Sequence, residues 1–523
     1  MSEADTILIG EAAILPENAT ARTWLGFILM CLGMFMAILD IQVVATSLPA
    51  IQQALGISRD AMSWIQTAYL IAEITAIPLT GWLTRVLSLR WMFVAAISLF
   101  TIASIGCAAS DNFSTLISCR IVQGFAGGAL IPAVFSAVFL LFPLRLHPAA
   151  TTLAGIVAVL APTVGPVVGG WITETWSWHW LFLINVAPGL LAAGATPWLL
   201  PRDKTNFAEF KNLDCFSLAL MSIALAALEI GLKQAPQDGW LTLRPLALFA
   251  ASFVSGFLFV TRTIRATHPT VDLTTLRAPP FAVGCALSFC LGVGLFGSVY
   301  LMPVFLAYVR RHDAFEIGTI MLVTGVAQLI AAPVAGYLES RRDPRKLSGF
   351  GFALFAIGLG LSCSQSRIAD FDEMFLPQVL RGIAIMFCLL PPTQLALGAL
   401  TPAQVPDASG LFNLMRNLGG AIGIAVIDTI LYGRTIGHGE ALRDRLLAGD
   451  VTAAKAISLD VQLFLHPPPG TTQAAIEAYV RPMVERAAFA ISVNEAWAML
   501  SAVAVVALAL VWLLGKTTVE RKS

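Results

Sequence analysis

The sequence predicts an all-α integral membrane protein of fourteen transmembrane helices, built as two six-helix halves with two helices inserted between them. Its 523 residues are 57% hydrophobic and only 12% charged, with a mean hydropathy of +0.79, which is too apolar for a water-solvated surface. Fourteen stretches reach the ~20 mostly apolar residues that cross ~30 Å of hydrocarbon. The run Pro78-Leu79-Thr80-Gly81-Trp82-Leu83 also recurs as Pro333-Val334-Ala335-Gly336-Tyr337-Leu338, 255 residues later. Arg120 in the fourth span recurs as Arg381 in the twelfth, so spans 1 to 6 pair with spans 9 to 14.

In chain order, a tail of residues 1–23 leads to the first half, 24–200, with spans near 24–47, 61–83, 91–110, 113–141, 149–172 and 180–200. The linker, 201–278, holds the inserted spans 213–232 and 242–263. The second half, 279–514, holds spans 281–309, 316–338, 347–366, 373–400, 407–431 and 490–514, followed by a tail of residues 515–523. With both termini cytoplasmic, Arg85, Arg90, Arg145, Arg202, Arg341, Arg342 and Arg345 fall in inside loops, as the positive-inside rule asks. One long connection, 432–489, then lies on the periplasmic side; it contains the turn former His466-Pro467-Pro468-Pro469-Gly470 and an amphipathic stretch at 472–488. A spacer and a docking surface are both open to it.

Several chemistries are excluded. Lys plus Arg and Asp plus Glu number 32 each, and no basic stripe marks a nucleic-acid partner. The eight cysteines lie in apolar runs without ligand spacing, and the six histidines form no paired ligand set, so no metal site is expected. Gly515-Lys516-Thr517 lacks the glycine of a phosphate loop, because Leu510 stands there. No cofactor is expected.

Charges inside spans cost several kcal/mol unless they pair or line a wet cavity. Asp40, Glu73, Arg120, Arg381 and Arg416 are such charges. At ~1.5 Å per residue, Asp40 lies ~10 Å, Arg120 ~12 Å and Glu73 ~15 Å from the outer ends of their helices. Burial disfavours an ionised acid and a nearby arginine favours it, and that balance is what a proton carrier needs. Asp40, Glu73 and Arg120 are therefore the proton-coupling candidates; a permanent ion pair that fixes packing is the alternative for Asp40 and Arg120. Gln66, Tyr69 and Glu73 share a helical face. In the fifth span, Pro162 and Pro166 remove backbone donors, while Gly165, Gly169 and Gly170 admit a neighbouring backbone and suggest a seal between the halves. Arg416 is open to two roles, a cytoplasmic gate or a structural donor.

These motifs together resemble the Major Facilitator Superfamily, in its fourteen-helix drug:proton antiporter branch of EmrB/QacA type. Leu39-Asp40-Ile41-Gln42-Val43-Val44-Ala45-Thr46-Ser47-Leu48-Pro49 is similar to the branch's LDxTIVNVALP element, Arg120-Ile121-Val122-Gln123-Gly124 to its RxxQG motif, and Gly165 to Gly170 to its GPxxGG motif. Trp180 to Val186, Arg381-Gly382 and Asn413 to Gly420 resemble further elements. The resemblance implies proton-coupled export of small amphipathic compounds across a bacterial inner membrane, powered by the proton gradient. It assigns proton coupling to Asp40 and Arg120, and leak prevention to the fifth-span motif. It also implies a periplasmic adaptor protein and an outer-membrane channel as partner classes. Gln66, Tyr69, Tyr300, Gln328, Arg381, Asn413 and Arg416 are candidates for the substrate cavity. The cytoplasmic loop motif keeps Gly81, Leu83 and Arg90 but has Arg85 and Ser88 where the branch has Asp and Gly, which leaves its usual latch without an acid. A dedicated exporter or symporter of one metabolite, lipid or siderophore is the alternative function.

Overall fold

The computed structural model describes residues 19–202, 205–208, 213–266, 269–457, 459 and 473–513. The first eighteen residues, the run His466 to Gly470 and the tail 515–523 lie outside the described residues. The first half consists of α1 (Ala21–Leu55), α2 (Arg59–Ala76), α3 (Thr80–Ala108), α4 (Phe113–Leu141), α5 (His147–Thr175), the short α6 (Trp180–Leu183) and α7 (Val186–Leu199). The inserted pair is α8 (Cys215–Asp238) and α9 (Leu243–Arg265). The second half consists of α10 (Pro279–Phe305), α11 (Ala314–Glu339), α12 (Pro344–Gly360), α13 (Phe371–Leu397), α14 (Val405–Leu447), α15 (Val451–Ala456) and α16 (Gln473–Leu513).

Among the described residues, thirteen helical stretches are long and apolar enough to cross a membrane. One of them, Ala61–Ala108, has 48 residues and contains two passes. Tyr69 packs on Gly124 and Gly106 packs on Cys119, so both ends of this stretch reach neighbouring turns of α4 and the chain reverses between them. The reversal falls at Ser88, whose φ of 67° and ψ of 158° leave the helical region. That makes fourteen passes.

The halves repeat in their packing as well as in sequence. α1 packs on α5 as α10 packs on α14, and α2 and α3 pack on α4 as α11 and α12 pack on α13. Two of the cross-half contacts are also related, α5 with α11 on one side and α14 with the α2–α3 segment on the other. Glycines on the second half make both contacts close. A Cβ added to Gly318, Gly325 or Gly336 of α11 would run into Val167, Thr163 or Thr152 of α5, and one on Gly410 of α14 would meet the Ile77 carbonyl at 2.9 Å. In lipid such close backbone approach replaces the hydrophobic drive between helices.

The connection 432–489 is more regular than a loop. α14 runs unbroken for 43 residues and α16 for 41, each roughly 60 Å at 1.5 Å per residue and about twice the hydrocarbon thickness. Their outer parts, with α15 and Ile457 between them, bury Leu442, Leu446, Ala453, Ala454, Ile457, Val480, Val484 and Ala488 in a small core of their own. An ion pair from Arg434 to Glu495 (2.6 Å) and a hydrogen bond between His438 and Glu495 (3.1 Å) join the two helices below it. Hydropathy alone ends the spans at Leu431 and Ala490 because the helices become amphipathic there.

Ser88 holds a left-handed φ that favours glycine, and its buried hydroxyl has no partner among the described residues. Relief of both, offset by the greater chain entropy of glycine, predicts that Ser88→Gly stabilises the protein by about 1 kcal/mol. Thermal unfolding in detergent should show a higher midpoint; an unchanged or lower one contradicts this account of the turn.

Candidate functional site

The first half is organised around a buried charge cluster. Gly124 and Gly128, one turn apart on α4, would each clash with the α2 backbone at Tyr69 and Glu73 if they carried a Cβ. Their absence of side chains lets α2 lie against α4, and this contact sets Tyr69 and Glu73 beside Arg120. Asp40 of α1 and Arg120 of α4 are both 0% exposed. Arg120 Nη1 donates to Asp40 Oδ2 and to Gln123 Oε1 at 2.7 Å, while its Nε donates to the Ile65 carbonyl at 3.2 Å. Gln123 Nε2 and Asn185 Nδ2 donate to Asp40 Oδ1 at 2.9 and 3.0 Å, and Gln123 also reaches Ser104 Oγ at 2.9 Å. The guanidinium lies over the Tyr69 ring, 4.3 Å from its centroid. Arg120 Nη2 keeps no partner among the described residues.

Each Asp40 oxygen therefore accepts from a neighbour, which a buried carboxylate requires. Glu73 differs. It is 3% exposed, lies within electrostatic reach of Asp40, Arg120 and Glu229, and its carboxylate makes no hydrogen bond among the described residues. Gln123, Asn185 and Ser104 carry as much of the cluster as the charged pair, yet sequence reading gave them no role. Their signal was a polar side chain inside an apolar span, weaker than a charge.

α5 connects this cluster to the space between the halves. Gly169 abuts the Val43 backbone, which would stand 2.8 Å from an added Cβ, and Gly165 faces Gln42. Pro166 and Gly170 are half-buried on the same helix, which continues through both prolines. The glycine face thus packs on α1 inside its own half, within a turn or so of Asp40. The contact between halves is made instead by Thr152, Thr163 and Val167, a correction to the seal expected of the glycines.

Pro162 and Thr163 line a cavity of about 60 Å³ between the halves, together with Ser298 and Met302 of α10, Gln328 of α11 and Arg381 of α13. Arg381 sits 4.7 Å from the Trp497 ring centroid and donates from Nη2 to Met302 Sδ at 3.4 Å. Its Nε and Nη1 and the Gln328 Oε1 are buried without partners among the described residues. Of the proposed cavity residues, Gln328 and Arg381 are there. Tyr69 is packed into the charge cluster, and Gln66 is half-buried on α2 outside that lining. Tyr300 donates to Asp428 Oδ1 at 2.7 Å, Asn413 donates to the Ser409 carbonyl at 2.8 Å, and Arg416 donates to Asn413 Oδ1. These three brace α10 and α14 rather than face the cavity.

On the face that carries the chain's basic loops, Arg85 Nη1 pairs with Asp407 in the first turn of α14, and its Nη2 donates to the Thr270 carbonyl at 3.2 Å. Asp407 is 2% exposed, and its backbone would stand 2.7 Å from a Cβ on Gly81. Ser409 Oγ donates to the Pro132 carbonyl at 2.8 Å beside it. The loop motif thus does carry an inter-half ion pair, with its signs reversed: the cation on the first half and the acid on the second. Leu83 packs on the first-half core, and Arg90 donates to the Pro197 carbonyl at 3.3 Å. Arg85→Asp should place two acids together and cut transport at least about tenfold, since breaking a buried pair costs 3–5 kcal/mol. The double variant Arg85→Asp/Asp407→Arg should recover most of it; a double variant no better than the single one removes the pair from the mechanism.

The Major Facilitator Superfamily profile matches residues 30–424. The chain is 39% identical to the colistin resistance protein EmrB of Acinetobacter baumannii over 79% of this chain and 81% of that one. It is 28% identical to the multidrug export protein EmrB of Escherichia coli over 93% and 94%. Its fold also matches the solved structure of the human organic anion transporter MFSD10, with a TM-score of 0.59 at 15% identity over 93% of this chain and 98% of that one. Helix order, repeated packing and sequence agree: the chain belongs to the Major Facilitator Superfamily, in the branch of the EmrB exporters.

Proposed function

We propose that the protein is a proton-coupled antiporter that exports small amphipathic compounds by alternating access, drawing on the proton gradient and needing no cofactor. The observation that carries this is the position of α5. One face of it packs on α1 beside Asp40, and the other lines the cavity between the halves and crosses to α11. Protonation of Asp40 removes the negative charge that holds Arg120, and the pair's rearrangement is passed through α1 and α5 to the cavity wall. The reverse applies when substrate fills the cavity. Arg381, with two unpartnered donors and an indole beneath it, suits compounds that combine an aromatic or aliphatic body with an acidic or acceptor group.

The positive-inside rule, applied to the basic loops, supports a cytoplasmic side for both termini and for the Arg85–Asp407 pair. The structure then has its cytoplasmic side latched, and the α14–α16 stalk projects into the periplasm. The names of the relatives, a colistin resistance protein and a multidrug export protein, support drug efflux from the bacterial inner membrane. The stalk is the natural docking surface for a periplasmic adaptor that continues to an outer-membrane channel. In proteoliposomes with an imposed pH gradient, a panel of amphipathic drugs should dissipate the gradient with the native protein, and Asp40→Asn should lose at least about tenfold of that flux while still binding drug. Drug-driven proton flux unchanged in Asp40→Asn would show Asp40 to be a packing residue only.

A further inference from the structure

The second half buries Arg381 of α13 and gives it no anion. The residue is 3% exposed. Its Nη2 donates to Met302 Sδ at 3.4 Å, while its Nε and Nη1 have no partner among the described residues. Gly358 of α12 lets that helix close on the arginine stem, since an added Cβ would stand 2.9 Å from Arg381 Cγ, and the Trp497 ring covers the guanidinium. Packing rather than a counter-charge therefore holds the side chain at the cavity wall. Further donors stand around it. Gln378, one turn earlier on α13, is 0% exposed; its Oε1 accepts from Thr324 Oγ1 at 3.0 Å, and its Nε2 is unpartnered among the described residues. Thr324 and Gln328 of α11 both line the cavity. Gln328 Oε1 is unpartnered as well, so no bond to that oxygen fixes the amide, and its NH₂ can turn toward the guanidinium's open side. Nearby acids do not answer the arginine. Asp428 accepts from Tyr300, and Glu339 ends α11 eleven residues beyond Gln328, roughly 16 Å along the helix.

We propose that this cavity is a halide site, in which a chloride ion serves as the counter-ion of Arg381 in the conformation described here. A buried guanidinium without a counter-charge costs several kcal/mol, and an anion that enters beside it removes that deficit. Size limits the choice. The cavity holds about 60 Å³. One water needs about 10–15 Å³ of such space, and a drug-sized ligand takes roughly 300 Å³ or more. The space thus suits a small ion with a water or two. The walls limit it further. An indole, a thioether and aliphatic side chains cannot replace the water shell of a strongly hydrated anion such as sulfate or phosphate, whereas chloride and bromide give up their water at lower cost. One guanidinium and two amides also match a single negative charge rather than two. A carboxylate or acceptor group on a larger compound would compete for the same donors and expel the ion as the cavity widens. That consequence rests on the antiport reading above, whereas the site itself rests on the surroundings of Arg381.

The test titrates sodium bromide against sodium gluconate, at constant ionic strength, into the full-length protein in detergent and reads the thermal unfolding midpoint. Native protein should show a saturable gain of about 2 °C in bromide. Arg381→Gln should abolish the gain. Gln328→Glu should abolish it too, because the new carboxylate pairs with the guanidinium inside the same cavity, and its midpoint in gluconate should lie above the native one. Arg367→Gln, outside the cavity, should respond as native protein does. Equal native midpoints in bromide and gluconate overturn the inference, and so does a gain that either cavity variant keeps or that Arg367→Gln loses. Drug-driven proton flux in proteoliposomes separates this result from the antiport reading. Native protein that responds to bromide yet moves no protons with any drug overturns that reading and leaves the site standing; coupled flux without a bromide response does the reverse.

Discussion

The pairing of Arg120 with Asp40 is the constraint from which the first half's geometry follows. A guanidinium at that depth in hydrocarbon is tolerated only when it is paired and hydrogen-bonded. Meeting that need draws in α1 through Asp40, the α2 backbone through the Ile65 carbonyl, α3 through Ser104 and the α6–α7 junction through Asn185. Four segments thus converge on the cluster around one side chain of α4. The glycines at 124 and 128 are the steric counterpart of this, since a bulkier residue would hold α2 away from the arginine.

The second half keeps the arginine and drops the acid. Arg381 occupies the repeat position of Arg120, yet among the described residues its partners are a thioether and an indole. A cation left with free donors at the wall of a cavity is poor for stability and good for binding, because an incoming acceptor repairs an existing deficit. The first half thus pairs its arginine with an acid, the second leaves its arginine at a cavity wall, and α5 lies between them.

The helices were legible because lipid enforces a simple rule: every backbone group must bond within its own helix, so length and hydropathy suffice. Asp40, Glu73 and Arg120 were legible for the same reason, as charges where the solvent forbids them. What escaped was whatever depends on partners distant in sequence. Arg85 looked like the loss of a latch because its acid, Asp407, is 322 residues away. Gln123 and Asn185 were seen only as parts of motifs. The stalk was read as a loop because helices that leave the membrane lose the apolar signal used to trace them.

The ion pair beside the basic loops and the lysine of the inserted helix have a common logic. Arg85 joins the first half to Asp407 of the second, and Lys233 of α8 donates to Ser63 and Thr67 of α2, each with a charge rather than apolar surface. Apolar contacts in lipid carry little cost when broken, since hydrocarbon replaces hydrocarbon. A buried ion pair instead holds until a proton, a water or a competing charge replaces a partner. Arg85 with Asp407 stands at one end of the α14 seam and Lys233 of α8 stands toward the other, while close glycine contacts line the middle.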